Sequence, residues 1–220
     1  MSIKDNLLNI KASLPPHVTL VAVSKTKPVS DLMEAYEAGQ RIFGENKVQE
    51  MVSKWEQMPR DIQWHMIGHV QTNKVKYMVP FVSLIHGVDS LKLLNEINRQ
   101  GKRYRKVISC LLQMHIAKEE TKFGMDEREL EALLASEEFK QMENIKVVGL
   151  MGMATFTEDQ NQIRKEFTHL KAIFDRLAAQ PDTQNLKPAT LSMGMSGDYQ
   201  LAIECGSTMV RIGSSIFGHR

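Results

Sequence analysis

The chain has 220 residues, of which 42% are apolar and 25% are charged, and its formal net charge at pH 7 is +2. This length is enough for one domain with a full core, and the composition is that of an ordinary globular protein. The small net charge and the absence of a basic block give no support for nucleic-acid binding. No apolar run reaches the roughly 18 residues of a membrane span, and the first residues lack the apolar segment of a secretory signal.

The two cysteines, Cys110 and Cys205, lie in apolar sequence surroundings. Such cysteines are typical of buried thiols in a reducing compartment and not of a disulfide scaffold. We therefore expect a cytoplasmic protein with neither a nucleic-acid nor a membrane partner.

A regular alternation of strands and helices is predicted along the chain. Eight short segments are rich in branched and long apolar residues, as expected of parallel strands that are buried on both faces. The predicted strands are 18–24, 41–45, 62–67, 82–88, 107–116, 146–153, 189–194 and 208–213. Helical signals separate them, and an extra helix at about 4–13 precedes the first strand.

Capping residues mark the starts of four of the predicted helices. The signals are Ser30 for a helix over 31–38, Ser90 for one over 91–100, Asp126 with Glu129, and Thr157 with Gln160. Gly101 is predicted to end the second of these helices. The fourth is the longest, and an apolar stripe at helical spacing follows its start.

Eight strands alternating with helices favour a single closed (β/α)₈ barrel, an α/β fold of the TIM type, that spans residues 1–220 as one domain. A doubly wound open sheet is the alternative, but no G-x-G-x-x-G sequence follows the first strand. The N-terminal helix is expected to fill the outer position that the short tail after the last strand leaves open. In such a barrel, functional groups lie at the C-terminal ends of the strands and in the loops after them.

Lys25 directly follows the apolar segment of the first predicted strand. A lysine in a partly desolvated pocket can lose its proton and attack a carbonyl to form a Schiff base. Most lysines at such positions are simply solvated, so Lys25 alone does not establish this chemistry.

Small residues dominate the ends of the last two predicted strands. Ser192 and Gly194 end the seventh strand, and Gly213, Ser214 and Ser215 follow the eighth. Barrels often bind phosphate with these two loops, but small residues also simply allow tight turns. The sequence leaves both interpretations open.

Arg211 interrupts an otherwise apolar strand. Because side chains alternate along a strand, Arg211 shares a face with Met209 and Gly213. A buried arginine needs a partner. That partner is either a ring nitrogen or an acid of a ligand in the lumen, or a carboxylate of the protein such as Glu45 or Glu204.

A Schiff-base lysine, a phosphate loop and an inward arginine together suggest pyridoxal 5′-phosphate, whose pyridine nitrogen needs an Asp or Arg partner. Since arginine accepts no proton, it favours the unprotonated pyridine, weakens the cofactor as an electron sink and disfavours transamination. His65 and His69 straddle a strand end instead of sharing a helix face, so we expect no metal site.

Five segments, in chain order, resemble the pyridoxal phosphate homeostasis proteins. They are VAVSKTKP at 21–28, FGENKVQE at 43–50, WHMIGHVQTNK at 64–74, LSMGMS at 191–196 and GSTMVRIGSSIFG at 206–218. The resemblance spans nearly the whole chain and implies a single barrel similar to the N-terminal domain of alanine racemase. It also implies a protein that binds the cofactor and affects its cellular balance, without an established catalytic activity.

The resemblance further implies which residues bind the cofactor. It places the Schiff-base lysine on Lys25, the pyridine-nitrogen arginine on Arg211, the phosphate contacts on Ser192, Gly213 and Ser214 with Met193 and Gly194 nearby, and a pocket-wall residue on Asn46. The chain departs from many members at Val70 and His115, and the position of His69 varies among them.

Two functions follow as hypotheses. The first is a monomeric, non-enzymatic carrier of pyridoxal phosphate, with apo pyridoxal-phosphate enzymes as recipients. The second is an amino-acid racemase, which needs acid–base groups on both faces of the substrate carbon. Lys25 supplies one such group, and no tyrosine lies at a predicted strand mouth to supply the other. A Schiff-base aldolase without a cofactor would not explain Arg211 beside a phosphate loop.

Overall fold

The computed structural model describes residues 2–120 and 123–218. Within these residues, eight parallel strands close into a barrel in chain order, and the last strand pairs with the first. The strands are β1 Thr19–Val23, β2 Ile42–Glu45, β3 Gln63–Met66, β4 Val82–Val88, β5 Ile108–Gln113, β6 Ile145–Met151, β7 Leu186–Met195 and β8 Met209–Ile212. The predicted (β/α)₈ barrel is confirmed, and the open sheet is excluded.

Helices form the outer layer of the barrel. They are α1 Ile3–Ser13, α2 Val29–Glu37, α3 Val48–Gln57, α4 Val75–Met78, α5 Leu91–Tyr104, α6 Glu127–Ala135, α7 Glu137–Lys140, α8 Gln160–Ala178, α9 Tyr199–Glu204 and α10 Ser214–Phe217. The extra N-terminal helix α1 packs against α2 and α10, in the outer position that the sequence predicts. Among the described residues, no helix is both long enough and apolar enough to span a bilayer.

Two of the four predicted helix starts are confirmed. The Ser90 hydroxyl accepts the backbone N–H of Leu93 at 3.2 Å, and Asp126 and Glu129 form a complete capping box at the start of α6. In both cases the side chain satisfies an N–H group that has no acceptor within the helix.

The other two predicted starts are wrong. α2 begins directly after Pro28, so Ser30 lies inside its first turn. The restricted φ of proline suits the entry to a helix without a side-chain cap. α8 is capped by Asp159, whose carboxylate accepts two backbone N–H groups, and Thr157 therefore lies before the cap.

Gly101 does not end α5, contrary to the sequence prediction. The helix continues to Tyr104 and ends at Arg105, which has a left-handed φ of 55°. The glycine is explained by packing, because a Cβ at Gly101 would lie 2.7 Å from the carbonyl oxygen of Asn144.

The alternating side chains of the strands build two apolar clusters. The larger cluster lies between the strands and the helices and contains the fully buried Phe43, Trp64 and Phe167. The smaller cluster is formed by inward side chains of five strands: Val21, Leu84, Leu111, Met151 and Met209. This inner cluster closes the lumen below the C-terminal ends of the strands.

Candidate functional site

A cavity of about 530 Å³ opens at the C-terminal ends of the strands. Its lining comprises Val23, Lys25, Asn46, Ile67, Gly68, His69, Gln113, Phe123, Met153, Phe156, Met195, Ser196, Gly197, Arg211, Gly213 and Ser214. A neighbouring cavity of about 440 Å³ shares Val23, Lys25, Gly213 and Ser214 with it. The chemistry-bearing residues therefore lie where the barrel topology predicts them.

The structure brings five of the eight sequence-predicted site residues together. Lys25, Asn46, Arg211, Gly213 and Ser214 all line the cavity, and they come from the ends of β1, β2 and β8. These three strands are neighbours, because β1 pairs with both β2 and β8.

Ser192, Met193 and Gly194 do not line the cavity. Ser192 and Met193 are fully buried, and Ser192 pairs with Met209, two residues below Arg211 on β8. The seventh strand extends to Met195 instead of ending at Gly194. The seventh strand therefore ends one residue later than predicted, and the assignment of Ser192, Met193 and Gly194 to phosphate binding stays a prediction.

A β-bulge near Gly194 explains the difference in height. Ser192 pairs with Met209, and Met195 pairs with Arg211. Over this stretch β7 therefore advances by three residues while β8 advances by two. Gly194 has a φ of +99°, which favours glycine. Because β7 contains this one extra residue, Ser196 lies level with the end of β8.

Ser196 is a cavity residue that the sequence reasoning missed. Its hydroxyl accepts the backbone N–H of Gly213 at 3.3 Å, which joins the loops after β7 and β8. A glycine inside an apolar strand signals a bulge, so Gly194 was the signal that could have identified Ser196.

Lys25 is half-buried and lines both cavities. The next residue, Thr26, has a φ of 65°, a left-handed conformation that is uncommon for a residue other than glycine. The backbone N–H of Thr26 donates to Glu50 Oε1 at 2.5 Å. This hydrogen bond stabilises the tight turn that directs the chain around Lys25.

Lys54 of α3 fixes the residue before Lys25 as well. Its ammonium group donates to the Ser24 carbonyl, to Glu45 Oε1 and to Glu50 Oε1, each at 2.7 Å. Burial raises the pKa of Glu45, while hydrogen bonds and charge from Lys54 and a hydrogen bond from Ser24 oppose this rise. A buried ion pair thus holds the backbone on both sides of Lys25.

Arg211 is only 3% exposed. Its Nη1 donates to the backbone carbonyl of Ser192 at 2.9 Å and to the Ser192 hydroxyl at 2.6 Å, and its Nη2 donates to the Gly152 carbonyl at 3.1 Å. Burial lowers the pKa of Arg211 to about 10, and the negative charge of Asp198 opposes this shift. The guanidinium is therefore a cation at neutral pH, held by neutral acceptors.

The structural ion pair that the sequence left open for Arg211 is excluded for both carboxylates considered. Glu45 pairs with Lys54, and Glu204 pairs with Arg164 at the surface. Within the described part of the chain, no carboxylate forms an ion pair with Arg211. The arginine thus brings to the floor of the cavity a positive charge that no described carboxylate contacts directly.

Two histidines inside the barrel were not expected in this role. His65 Nδ1 lies 2.9 Å from His86 Nε2, and His86 Nδ1 lies 3.0 Å from the Ser192 hydroxyl. Burial lowers the pKa of His65 to about 3. Burial also lowers the pKa of His86 well below its ordinary value, and electrostatic interactions with His65 and with the Arg211 cation act in the same direction. Both rings are therefore neutral at physiological pH.

His69 lies at the rim and does not approach His65. Its ring stacks on Phe123 with a centroid distance of 3.9 Å and an interplanar angle of 10°, and its Nδ1 lies 3.7 Å from the Asp89 carboxylate. His115 does not line the cavity. No group of His, Cys, Asp and Glu side chains among the described residues is arranged to hold a metal ion.

The family model for the alanine racemase N-terminal domain matches residues 1–220. A pyridoxal phosphate homeostasis protein of Pasteurella multocida is 38% identical, over 100% of this chain and 98% of the relative. Another from Aquifex aeolicus is 39% identical, over 91% of this chain and 86% of the relative.

This chain belongs to the pyridoxal phosphate homeostasis protein family. The resemblance drawn from its sequence segments is confirmed.

Solved structures agree with membership of the pyridoxal phosphate homeostasis protein family. PipY of Synechococcus elongatus PCC7942, solved with PLP bound, is 34% identical with a TM-score of 0.89, and the match covers 99% of this chain and 100% of PipY. Alanine racemase of Clostridium difficile 630 has 15% identity and a TM-score of 0.77, over 100% of this chain and 57% of the racemase. At 15% identity, this likeness shows that the two proteins share the barrel fold and nothing further.

The cavity of this family member separates three chemical functions in space. Lys25 offers a primary amine at the end of β1, and Arg211 offers a buried cation on β8. Ser214 and Ser215 begin α10, where the first backbone N–H groups have no acceptor within the helix. An amine, a cation and an N–H-rich loop suit a ligand that carries an electrophile, a ring acceptor and an anion.

Proposed function

We propose that this protein binds pyridoxal 5′-phosphate in the cavity at the C-terminal ends of the strands and contributes to the intracellular balance of that cofactor. The observation that carries the proposal is that Lys25, Arg211 and Ser214 line one cavity. The PLP bound in the PipY structure and the names of the curated relatives support it. When bound, the cofactor supplies an aldehyde that reacts reversibly with a primary amine.

The residues fit the parts of the cofactor. Lys25 provides the amine for covalent binding, and Asn46 forms part of the wall beside it. Arg211 presents only donors, and three of its five N–H groups are used by Ser192 and Gly152. The remaining two can face a ring nitrogen, which must then be the acceptor and stay unprotonated.

The phosphate group is assigned to the loops after β7 and β8. Ser196 and Ser214 supply hydroxyls, and Gly213 and Ser214 supply backbone at the cavity surface. A Cβ at Gly213 would lie 3.0 Å from the Val23 carbonyl, so the close approach of this loop to β1 requires glycine. Ser192, Met193 and Gly194 contribute to this loop from below, by fixing Arg211 and the height of Ser196.

We further propose that binding proceeds without turnover of a substrate. A racemase needs a second acid–base group opposite Lys25. Of the described residues that line the cavity, the titratable ones are Lys25, His69 and Arg211. His69 is engaged by Phe123 and by Asp89 at the rim, and no described tyrosine lines the cavity.

Hydride trapping tests the covalent part of the proposal. Treatment of the yellow holoprotein with sodium borohydride should add the reduced cofactor mass to the peptide that contains Lys25. Lys25→Ala should lose both the visible absorption band and the trapped peptide. The matched control is Lys47→Ala, because Lys47 is an exposed lysine one residue after Asn46. A Lys25→Ala protein that keeps the full visible band would disprove this assignment.

Exchange of the α-proton of alanine in deuterated water tests the absence of turnover. We expect no exchange above the rate given by free pyridoxal phosphate. Exchange at several per second, typical of enzymes, would instead support the racemase hypothesis.

The wider cellular role is part of the same proposal. We propose that residues 1–220 act as one domain, as a cytoplasmic monomer, with apo pyridoxal-phosphate enzymes as recipients of the cofactor. The unpaired thiols Cys110 and Cys205 suit a reducing compartment. Holoprotein mixed with an apo pyridoxal-phosphate enzyme should activate that enzyme faster than the cofactor dissociates spontaneously. Activation at the spontaneous rate would contradict direct delivery.

A further inference from the structure

Four buried side chains form a continuous hydrogen-bonded chain across the lumen of the barrel. Arg211 on β8 contacts the Ser192 hydroxyl on β7 at 2.6 Å, Ser192 contacts His86 Nδ1 on β4 at 3.0 Å, and His86 Nε2 contacts His65 Nδ1 on β3 at 2.9 Å. Their exposed fractions are between 0% and 4%. Water therefore does not compete for these contacts.

The chemistry of the four groups fixes the direction of every hydrogen bond in the chain. A guanidinium can only donate, so the Ser192 oxygen accepts from Arg211. The single hydroxyl proton of Ser192 then donates to His86 Nδ1, since no other acceptor contacts this hydroxyl within the described part of the chain. His86 consequently carries its proton on Nε2 and donates it to His65 Nδ1.

The opposite direction leaves a buried group unsatisfied. If His86 Nδ1 carried a proton, it would donate to Ser192, and the Ser192 hydroxyl proton would have no acceptor among the described residues. An unsatisfied buried polar group is destabilising, because its lost contact with water is not replaced. A charged His86 would meet the same difficulty and would also lie in the field of Arg211, which lowers the pKa of His86 further.

Neutral acceptors have a second consequence for Arg211. A carboxylate in the place of Ser192 would pair with the guanidinium and compensate its charge. Ser192 and Gly152 instead orient the guanidinium plane with three hydrogen bonds from neutral acceptors. The chain thus orients the arginine and keeps its charge available at the cavity.

We propose that Ser192, His86 and His65 are positioning residues, which hold Arg211 in one orientation through a one-way hydrogen-bonded chain. The expected effect on pyridoxal 5′-phosphate binding rests on the proposed function, whereas the existence of the hydrogen-bonded chain does not. His65 and His86 would accordingly act on the ligand without touching it.

The first experiment uses the protein without cofactor. Long-range ¹H–¹⁵N NMR spectra of the histidine side chains should show both His65 and His86 neutral and protonated on Nε2 at pH 7. In Ser192→Ala, the His86 tautomer should no longer be fixed, and its ring signals should change. A wild-type His86 that carries its proton on Nδ1, or that is charged, would overturn the proposal whether or not the protein binds pyridoxal phosphate.

The second experiment compares two buried serines. Ser207 is as buried as Ser192, but among the described residues its hydroxyl contacts only the carbonyl oxygens of Leu191, Met193 and Met209. Loss of a hydrogen bond to a charged group corresponds to about a tenfold change in affinity. Ser192→Ala should therefore weaken pyridoxal phosphate binding about tenfold and shift its visible absorption maximum, whereas Ser207→Ala should change neither.

A conservative rescue separates positioning from packing. His86→Asn keeps an acceptor near the position of Nδ1, and His86→Leu does not. Affinity and absorption maximum should follow the order wild type, His86→Asn, His86→Leu. Equal effects of the two His86 variants, or of the two serine variants, would show that the hydrogen-bonded chain acts only through packing and would contradict the proposal. A wild-type protein that binds no pyridoxal phosphate would contradict the proposed function and leave the NMR result as the test of the chain.

Discussion

Lys54 and Arg211 are two buried cations on opposite sides of β1, and the protein compensates their charges in different ways. Lys54 lies on the β2 side and is bonded to the carboxylates Glu45 and Glu50. Arg211 lies on the β8 side and is bonded to two carbonyl oxygens and a hydroxyl. Both are almost fully shielded from water, so the difference lies in the partners and not in the burial.

The difference distinguishes a structural cation, Lys54, from Arg211, the cation that we propose binds the ligand. Desolvation of an ion costs several kcal/mol, and a well-placed carboxylate can offset that cost. Lys54 has such partners, and its ammonium group holds the backbone next to Lys25. Arg211 has none among the described residues, so its attraction for a ligand acceptor is retained.

The largest effect is expected from Lys54→Met. Removal of the cation leaves the Glu45 carboxylate buried and unpaired, and breaking a buried pair from one side costs about 3–5 kcal/mol. Urea unfolding of the protein without cofactor measures this loss. Lys92→Met, at an exposed helix position, is the control and should stay within about 0.5 kcal/mol of the wild type. A loss below about 1 kcal/mol for Lys54→Met would show that Lys54 and Glu45 do not depend on each other.

A pH series should give the next largest effect, on the Arg211 side. The folded-state pKa values of His65 and His86 lie below the ordinary value of 6.5. The unfolded chain therefore takes up protons that the folded protein cannot, so stability is retained above pH 6.5 and lost below it. Between about pH 7.5 and pH 5.5 the loss should be about 1.4 kcal/mol for each histidine, or about 3 kcal/mol for both.

Urea unfolding at several pH values measures this slope. His65→Asn removes one of the two groups and should remove about half of the loss. The same acid loss in His65→Asn and in the wild type would mean that other groups cause it.

The smallest change in stability is expected from Arg211→Met. This substitution removes a desolvated charge together with its three hydrogen bonds, and the two effects partly cancel, so we expect a loss of about 1–2 kcal/mol in the protein without cofactor. Pyridoxal phosphate affinity should nevertheless fall by at least about tenfold. Unfolding and cofactor titration of the same preparation measure both. A loss of stability as large as that of Lys54→Met would make Arg211 a structural cation too.

The sequence predicted what depends on local periodicity. The apolar segments located all eight strands, and alternation predicted the inward orientation of Arg211, where the structure places it. Lys25 was accessible to the same reasoning, because it directly follows the first strand. The fold and the cavity position of Lys25 and Arg211 were therefore predictable.

Long-range contacts were beyond that reasoning. Lys54 of α3 contacts Ser24, which follows β1 and lies 30 positions earlier in the chain. Nothing in the local sequence of Lys54 indicates that it is buried. His65 and His86 meet, although 21 positions separate them, because β3 and β4 are neighbours in the closed barrel. The position of Ser196 relative to β8 depends on the bulge, which adds one residue to β7 without changing the apolar character of the strand sequence.

The bulge in β7 means that the spacing between two loops is set by a number of residues and not by a side chain. Ser196 meets the N–H group of Gly213 because β7 contains one residue more than β8 over the same length. No replacement at Ser196 could make up for the loss of that residue, since the whole loop would move by about 3.3 Å, the rise of one strand residue. Grafting this cavity onto another barrel would therefore require the extra backbone residue to be copied along with the side chains.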